Sequence, residues 1–158
     1  MSTINDTFEA AVNPAFELLD ERLDTPEARV LMFAIAMQES KLIYRRQIRG
    51  PARGLWQFEE GTRASRGGVY GVYLHPTSKR PLQDFCDELG IECDPEIIYE
   101  TLEYNDVLAA GVARLLLLTN PKPLPEIGEV DAAWDYYRTT WRPGKPHPEV
   151  WPENYELA

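Results

Sequence analysis

The feature that most constrains this chain is the stretch ARVLMFAIAM, residues 28–37, in which only Arg29 is charged. A helix that is apolar on nearly all sides has to lie inside a protein, so the remaining elements must wrap it. Thr25-Pro26 places an N-cap before a proline at the first helical position and predicts a helix over 26–40. The last turn of that helix is Gln38-Glu39-Ser40. A carboxyl at that place meets two penalties. Apolar surroundings disfavour its charged form, and so does the partial negative charge of a helix C-terminus. Both raise its pKa, and an acid that keeps its proton near neutral pH is what general acid catalysis needs. The plain alternative is a glutamate that marks where the helix reaches solvent.

Proline and asparagine punctuation predicts further short helices. Asn13-Pro14 opens one over 14–23, and Asp94-Pro95 opens one to Glu103. Asn105 or Asp106 caps a helix that runs to Thr119, where Asn120-Pro121 stops it. PLQDFCDELG reads as a helix with Gly90 as its left-handed terminator, and EVDAAWDYYRTTW as the last helix, ended by Pro143-Gly144. Only VYGVYL, 69–74, alternates like a strand. The fold expected is mainly α, a single domain over 1–158 with at most a small hairpin near 69–74. The ends, 1–12 and about 143–158, are expected to be irregular extensions.

Composition excludes several function classes. A net charge of −10 argues against general nucleic-acid binding. The charge is uneven: residues 41–66 carry +5 through Lys41, Arg45, Arg46, Arg49, Arg53, Arg63 and Arg66 against Glu59 and Glu60, and the rest carries −15. One basic surface on an acidic body suggests a local anionic partner. No run of eighteen apolar residues exists, so no membrane insertion is expected. The polar start MSTINDTFEA does not read as a secretory signal. Cys86 and Cys93 are too far apart to bond on one continuous helix, but Gly90 ends that helix, so a bridge stays open; in a chain with no export signal free thiols are the expectation. His75 and His147 are isolated from each other and from the cysteines, so neither a metal site nor a cofactor is expected.

Fifteen residues after Glu39 begins GLWQF, 54–58. Gly54 permits a turn that other residues resist. Trp56 and Phe58 offer flat apolar faces suited to sugar rings, and Gln57 offers both a donor and an acceptor. An aromatic core plug would use the same residues but leave the glutamine unexplained. Ala36-Met37-Gln38-Glu39-Ser40 followed by Gly54-Leu55-Trp56-Gln57-Phe58-Glu59-Glu60-Gly61-Thr62 resembles the soluble lytic transglycosylases of the lysozyme-like superfamily. In that family a helix ending in Glu-Ser is followed, at the same distance, by Gly-Leu-Met-Gln-(Ile/Phe) and then Pro-Gly-Thr. The likeness covers 26–62 closely and 104–141 loosely, where YNDVLAAGVARLLLL and AAWDYY stand in the places of later family helices. Residues 63–103 have no clear family counterpart.

The resemblance implies a peptidoglycan-cleaving enzyme that cuts the β-1,4 bond between N-acetylmuramic acid and N-acetylglucosamine. Glu39 matches the family's catalytic acid, Ser40 the serine beside it, and Gln57 the glutamine that binds the glycan. The family's acid-orienting tyrosine falls on Trp134, which has no hydroxyl, so Tyr136 or Tyr137 becomes the candidate for that work. Glu59 stands where the family has methionine. A carboxylate there could activate water and make the protein a hydrolytic lysozyme, although acids are also common at a helix start, which EEGT resembles. A module that has kept the glycan groove without catalysis is the further alternative. The ends WRPGKP and WPENYELA resemble phage-encoded relatives. That origin implies a protein made in the host cytoplasm that reaches the wall after release by lysis proteins or as part of a virion.

Overall fold

The computed structural model describes residues 3–158 and contains eight α-helices among them. They are α1 Ile4–Leu18, α2 Pro26–Ser40, α3 Gly68–Leu74, α4 Lys79–Leu89, α5 Pro95–Leu102, α6 Asp106–Leu118, α7 Val130–Trp141 and α8 Trp151–Glu156. The fold is mainly α, as expected. Among the described residues, strand-like pairing is confined to two isolated bridges, Arg46 with Arg53 and Arg53 with Phe58. No helix among the described residues is long and apolar enough to cross a membrane.

The proline caps work as local chemistry requires. The Thr25 hydroxyl accepts from Ala28 N–H at 3.1 Å, Asp94 accepts from Glu96 and Ile97 N–H at 3.1 and 3.2 Å, and Asn105 accepts from Leu108 N–H at 2.9 Å. Gly90 ends α4 in the left-handed conformation, φ +69°. The core is organised around α6, in which every residue from Leu108 to Leu117 is buried. α1 crosses α6, α3 to α5 surround it, and α2 packs against α8. α2 is deeply buried too, through Leu31 to Met37 and Ser40.

Three expectations are corrected. The first helix begins at Ile4, not Pro14, so the expected N-terminal extension forms a helix from Ile4 onward (residues 1 and 2 lie outside the described residues). Thr3 and Asp6 form a reciprocal capping box, and Phe8, Ala11, Val12, Ala15 and Phe16 bury one face. That apolar stripe outweighs the hydrogen bond that Pro14 removes inside the helix. VYGVYL is α3 rather than a strand. Val69 and Val72, three apart, are the buried pair, and so short an apolar run cannot distinguish the two periods by itself. Residues 143–158 are only partly irregular: α8 buries Trp151, whose ring stacks on Tyr137 at 5.2 Å and 5°.

Cys86 and Cys93 are free thiols. Their mutual contact, together with burial, pushes the Cys86 thiol up from its ordinary range.

Gly111 is where α6 lets α4 approach. A Cβ added there would run into the ring of Phe85, which is itself 1% exposed. Gly111→Ala is expected to lower stability by about 1–3 kcal/mol, the usual cost of overpacking a filled core. Urea denaturation measures it; an unchanged midpoint would show that the Phe85 contact does not limit the approach of α4.

Candidate functional site

The last turn of α2 makes three separate attachments. Gln38 Nε2 donates to the carbonyls of Pro146 and His147 at 2.9 and 3.0 Å, and Gln38 Oε1 accepts from Asn154 Nδ2 at 2.8 Å. Ser40 Oγ donates to Leu55 O at 2.6 Å and accepts from Leu42 N–H at 3.2 Å. Between them Glu39 lines a cavity of about 300 Å³ shared with Gln47, Gln57, Phe58, Glu59 and Trp141. A smaller recess of about 220 Å³ continues past Glu39 to Tyr137, Lys145 and His147.

The opposite side of the cavity is the GLWQF turn. Arg53 and Phe58 exchange backbone hydrogen bonds at 2.8 and 2.9 Å, closing a tight loop between them. Gly54 has φ +79°, and a Cβ there would stand 3.1 Å from Leu102 O, so glycine is required twice over. Gln57 is also left-handed, φ +51°, an uncommon state for a residue with a side chain. Its Nε2 donates to Gly54 O at 2.9 Å, and its Oε1 accepts from no protein group among the described residues. Gln57 therefore presents an acceptor beside Glu39.

Tyr137 Oη donates a short hydrogen bond to Glu39 Oε1. The second carboxyl oxygen has no protein partner among the described residues. Burial pushes the Glu39 carboxyl from 4.5 up to about 7; the Tyr137 hydrogen bond opposes that rise and the charge of Glu59 adds to it. Burial and the neighbouring Glu39 push the Tyr137 phenol above its ordinary range, so it stays protonated and donates. The result is an acid near half-ionisation at neutral pH, fixed through one oxygen and with the other free.

The expected site residues divide. Glu39, Gln57, Phe58, Glu59 and Tyr137 come together around the cavities. Trp56 does not: it is fully buried, and its Nε1 donates to Met32 O at 2.9 Å. It is a plug under the cavity, because an indole that can satisfy its one N–H inside the core has no reason to stay at the surface. Ser40 is 2% exposed and acts as a strut rather than a substrate contact. Tyr136 points elsewhere and donates to Leu117 O and Lys122 O at 3.0 and 3.2 Å. Trp134 packs on Tyr137 and Trp151, both at 5.5 Å, and supports the tyrosine from behind. Glu59 and Glu60 do not start a helix. Their carbonyls accept from Val69 and Tyr70 N–H, at 3.0 and 3.1 Å, which leaves the Glu59 side chain exposed at the cavity.

The basic stretch is less free than its charge count suggests. Arg45 makes a two-pronged pair with Asp106, and Glu103 accepts from Arg46 and lies 3.6 Å from Arg53. Sequence reasoning missed Gln47, Trp141, Arg142, Lys145 and His147, all of which line the cavities. The available signal was WRPGKP: a proline-glycine pair that ends a helix also turns the chain back across it. A scan against protein-family models finds no match, and searches of curated proteins and of solved structures find none either.

The carboxyl can be tested without reference to any substrate. Tyr137→Phe removes the one group that lowers the Glu39 pKa, so that pKa is expected to rise above about 7 in a carbon-detected NMR titration. A pKa that stays or falls would show that the phenol does not stabilise the carboxylate. Because the folded pKa lies above 4.5, the stability linked to this proton is complete below 4.5 and is lost as pH rises through about 7. Glu39→Gln removes that loss. The stability of the variant relative to the native protein is expected to grow across this window by on the order of 2 kcal/mol, at about 1.4 per unit and discounted for partial solvent access.

Proposed function

We propose that this protein cleaves peptidoglycan between N-acetylmuramic acid and N-acetylglucosamine as a lytic transglycosylase, with Glu39 as general acid and then general base. The observation that carries the reading is the Glu39 carboxyl itself: held near pKa 7, bonded by Tyr137 through one oxygen, and placed in a cavity with Gln57. Its spacing to Gln57 in the sequence supports the same reading.

The chemistry needs few groups. The free oxygen of Glu39 gives its proton to the glycosidic oxygen as the C1–O bond breaks and positive charge develops on the muramic ring. Glu39, now a carboxylate, takes the proton of the muramic 6-hydroxyl as O6 bonds to C1. Acid and base are one group, no water is consumed, and a 1,6-anhydro end results. Gln57 accepts a hydrogen bond from the sugar. Phe58 is 3% exposed and gives the cavity an apolar wall together with Trp141, their rings 5.7 Å apart.

One observation favours a second reading. Glu59 lines the same cavity, and its charge contributes to the raised pKa of Glu39. In a hydrolase it would be the base that activates water, and the product would carry a reducing muramic end.

Digestion of purified sacculi with mass analysis of the fragments tests both. Glu39→Gln is expected to lose about 10²–10⁴-fold in rate, and near-native digestion would remove Glu39 from the chemistry. Glu59→Gln is expected to keep most activity and to give 1,6-anhydro ends. Reducing ends from the native protein, with activity lost in Glu59→Gln, would make it a hydrolase.

A further inference from the structure

Beside the Glu39 cavity lies a second one, of about 350 Å³, and Leu116 and Arg142 line both. Its charged and titratable lining is Arg66, His75 and Arg142, with no aspartate or glutamate. In a chain with twenty-six acidic residues, an acid-free pocket with two guanidinium groups stands apart. Elsewhere Arg22, Arg29, Arg45, Arg46, Arg53 and Arg80 each have a carboxylate within ion-pair reach. Arg66 and Arg142 have none among the described residues; Arg49, Arg63, Arg114 and Arg138 have none either, but only Arg66 and Arg142 share this pocket.

Arg142 is anchored through one nitrogen. Its Nη2 donates to Arg66 O at 3.1 Å and Ser65 O at 3.4 Å. It lies over Gly67, where a Cβ would come within 3.0 Å of Nη2. Those bonds use one nitrogen and leave Nε–H and Nη1–H as donors. His75 is fixed in a complementary way: Nδ1 accepts from Thr77 N–H at 3.1 Å, so Nε2 carries the proton and donates. Most of the neutral polar wall has its partners inside the protein; the Thr139 hydroxyl has none among the described residues. Thr119 donates to Leu116 O and Thr140 to Tyr136 O, both at 2.6 Å, and Asn120 Nδ2 donates to Thr140 Oγ1 at 3.0 Å. Apart from the Thr139 hydroxyl and the second Asn120 amide hydrogen, the donors left for a ligand are cationic or imidazole N–H groups, a set that matches a carboxylate.

We infer that the pocket formed by Arg66, His75 and Arg142 binds a carboxylate of the peptide stem carried by the muramic acid whose bond is cut. The inference rests on the glycan-cleavage reading, because the stem begins on that same sugar ring and Arg142 borders both cavities. It adds that the protein selects strands bearing acidic stems over bare glycan.

The test uses a soluble muramoyl tripeptide with free glutamate and diaminopimelate carboxylates, and the same compound with those carboxylates amidated. The native protein is expected to bind the acidic compound about tenfold more tightly by calorimetry. Arg66→Gln, whose native side chain bonds to no protein group among the described residues, is expected to reduce that preference severalfold. Arg142→Gln should do the same, with Arg142→Lys restoring part of it; thermal melts check that the Ser65 and Arg66 contacts have not cost the fold. Cleavage gives a parallel readout: the rate ratio of peptide-bearing sacculi to amidase-stripped strands should fall in both glutamine variants. Equal binding of the two compounds by the native protein overturns the inference, as does a preference that survives both variants. Inorganic phosphate competing as well as the acidic peptide would give the pocket to phosphate anions instead, and also overturns it. Failure of the native protein to cut any glycan would sink the glycosidase reading alone, since the binding preference is measured without cleavage.

Discussion

The structure depends on one junction, where the end of α2 meets the turn at residues 54–58. Trp56 inserts its whole side chain beneath α2 and donates to Met32 O at 2.9 Å. Ser40 Oγ donates to Leu55 O at 2.6 Å, and Trp141 Nε1 donates to Trp56 O at 3.0 Å. The three bonds tie one helix end, one tight turn and the end of α7 into a single body. Burying a tryptophan contributes several kcal/mol when its N–H is satisfied, far more than any of the exposed ion pairs on this surface. The junction also fixes the distance between Glu39 and Gln57, because each residue lies directly beside one of the anchored ones.

Holding a carboxyl at that junction has a cost, and the backbone around it adds to the cost. Among the described residues no cation offsets the burial of Glu39; a phenol does the work instead, which stabilises the carboxylate without neutralising it. Lys41 and Leu42 follow α2 with φ +57° and +56°, and Gln57, Arg142 and His147 are left-handed as well. Each such residue costs about 1 kcal/mol or more relative to a relaxed backbone. Three of the five line the cavities. A chain selected for stability alone would place glycine or asparagine at these positions.

What could be read from the sequence was what is decided locally. Thr25-Pro26, Asp94-Pro95 and Asn105 open helices because a side-chain oxygen three residues away satisfies an N–H, which needs no tertiary context. Gly90 ends a helix for an equally local reason. The raised pKa of Glu39 was legible because an acid at the end of an apolar helix is a local conflict. The failures share the opposite property. Whether Trp56 faces a ligand or the core depends on Met32, twenty-four residues earlier. Ser40 is a strut only because Leu55 lies opposite. Val69 to Leu74 alternates in apparent hydrophobicity, yet its helix is settled by carbonyls at Glu59 and Glu60 that receive its first N–H groups. Arg45 and Arg46 counted as free charge until Asp106 and Glu103 were brought beside them.

The two sides of the cleft are built from different interactions, and this bears on how it moves. The floor is core: Trp56 and Leu55 are fully buried and Phe58 nearly so. The wall formed by residues 143–147 hangs between a half-buried anchor, Trp141, and a buried one, Trp151. Trp141 packs at 5.7 Å on Phe58, and Trp151 is stacked on Tyr137. Between these anchors the segment is tied to α2 through Gln38, whose amide nitrogen holds two of its carbonyls. Opening the wall therefore breaks a pair of hydrogen bonds, each worth about 1 kcal/mol net, while opening the floor exposes a tryptophan. Local unfolding follows the cheaper path. The wall can yield while Glu39 and Gln57 keep their separation, so that movement of the wall is decoupled from the geometry of the acid.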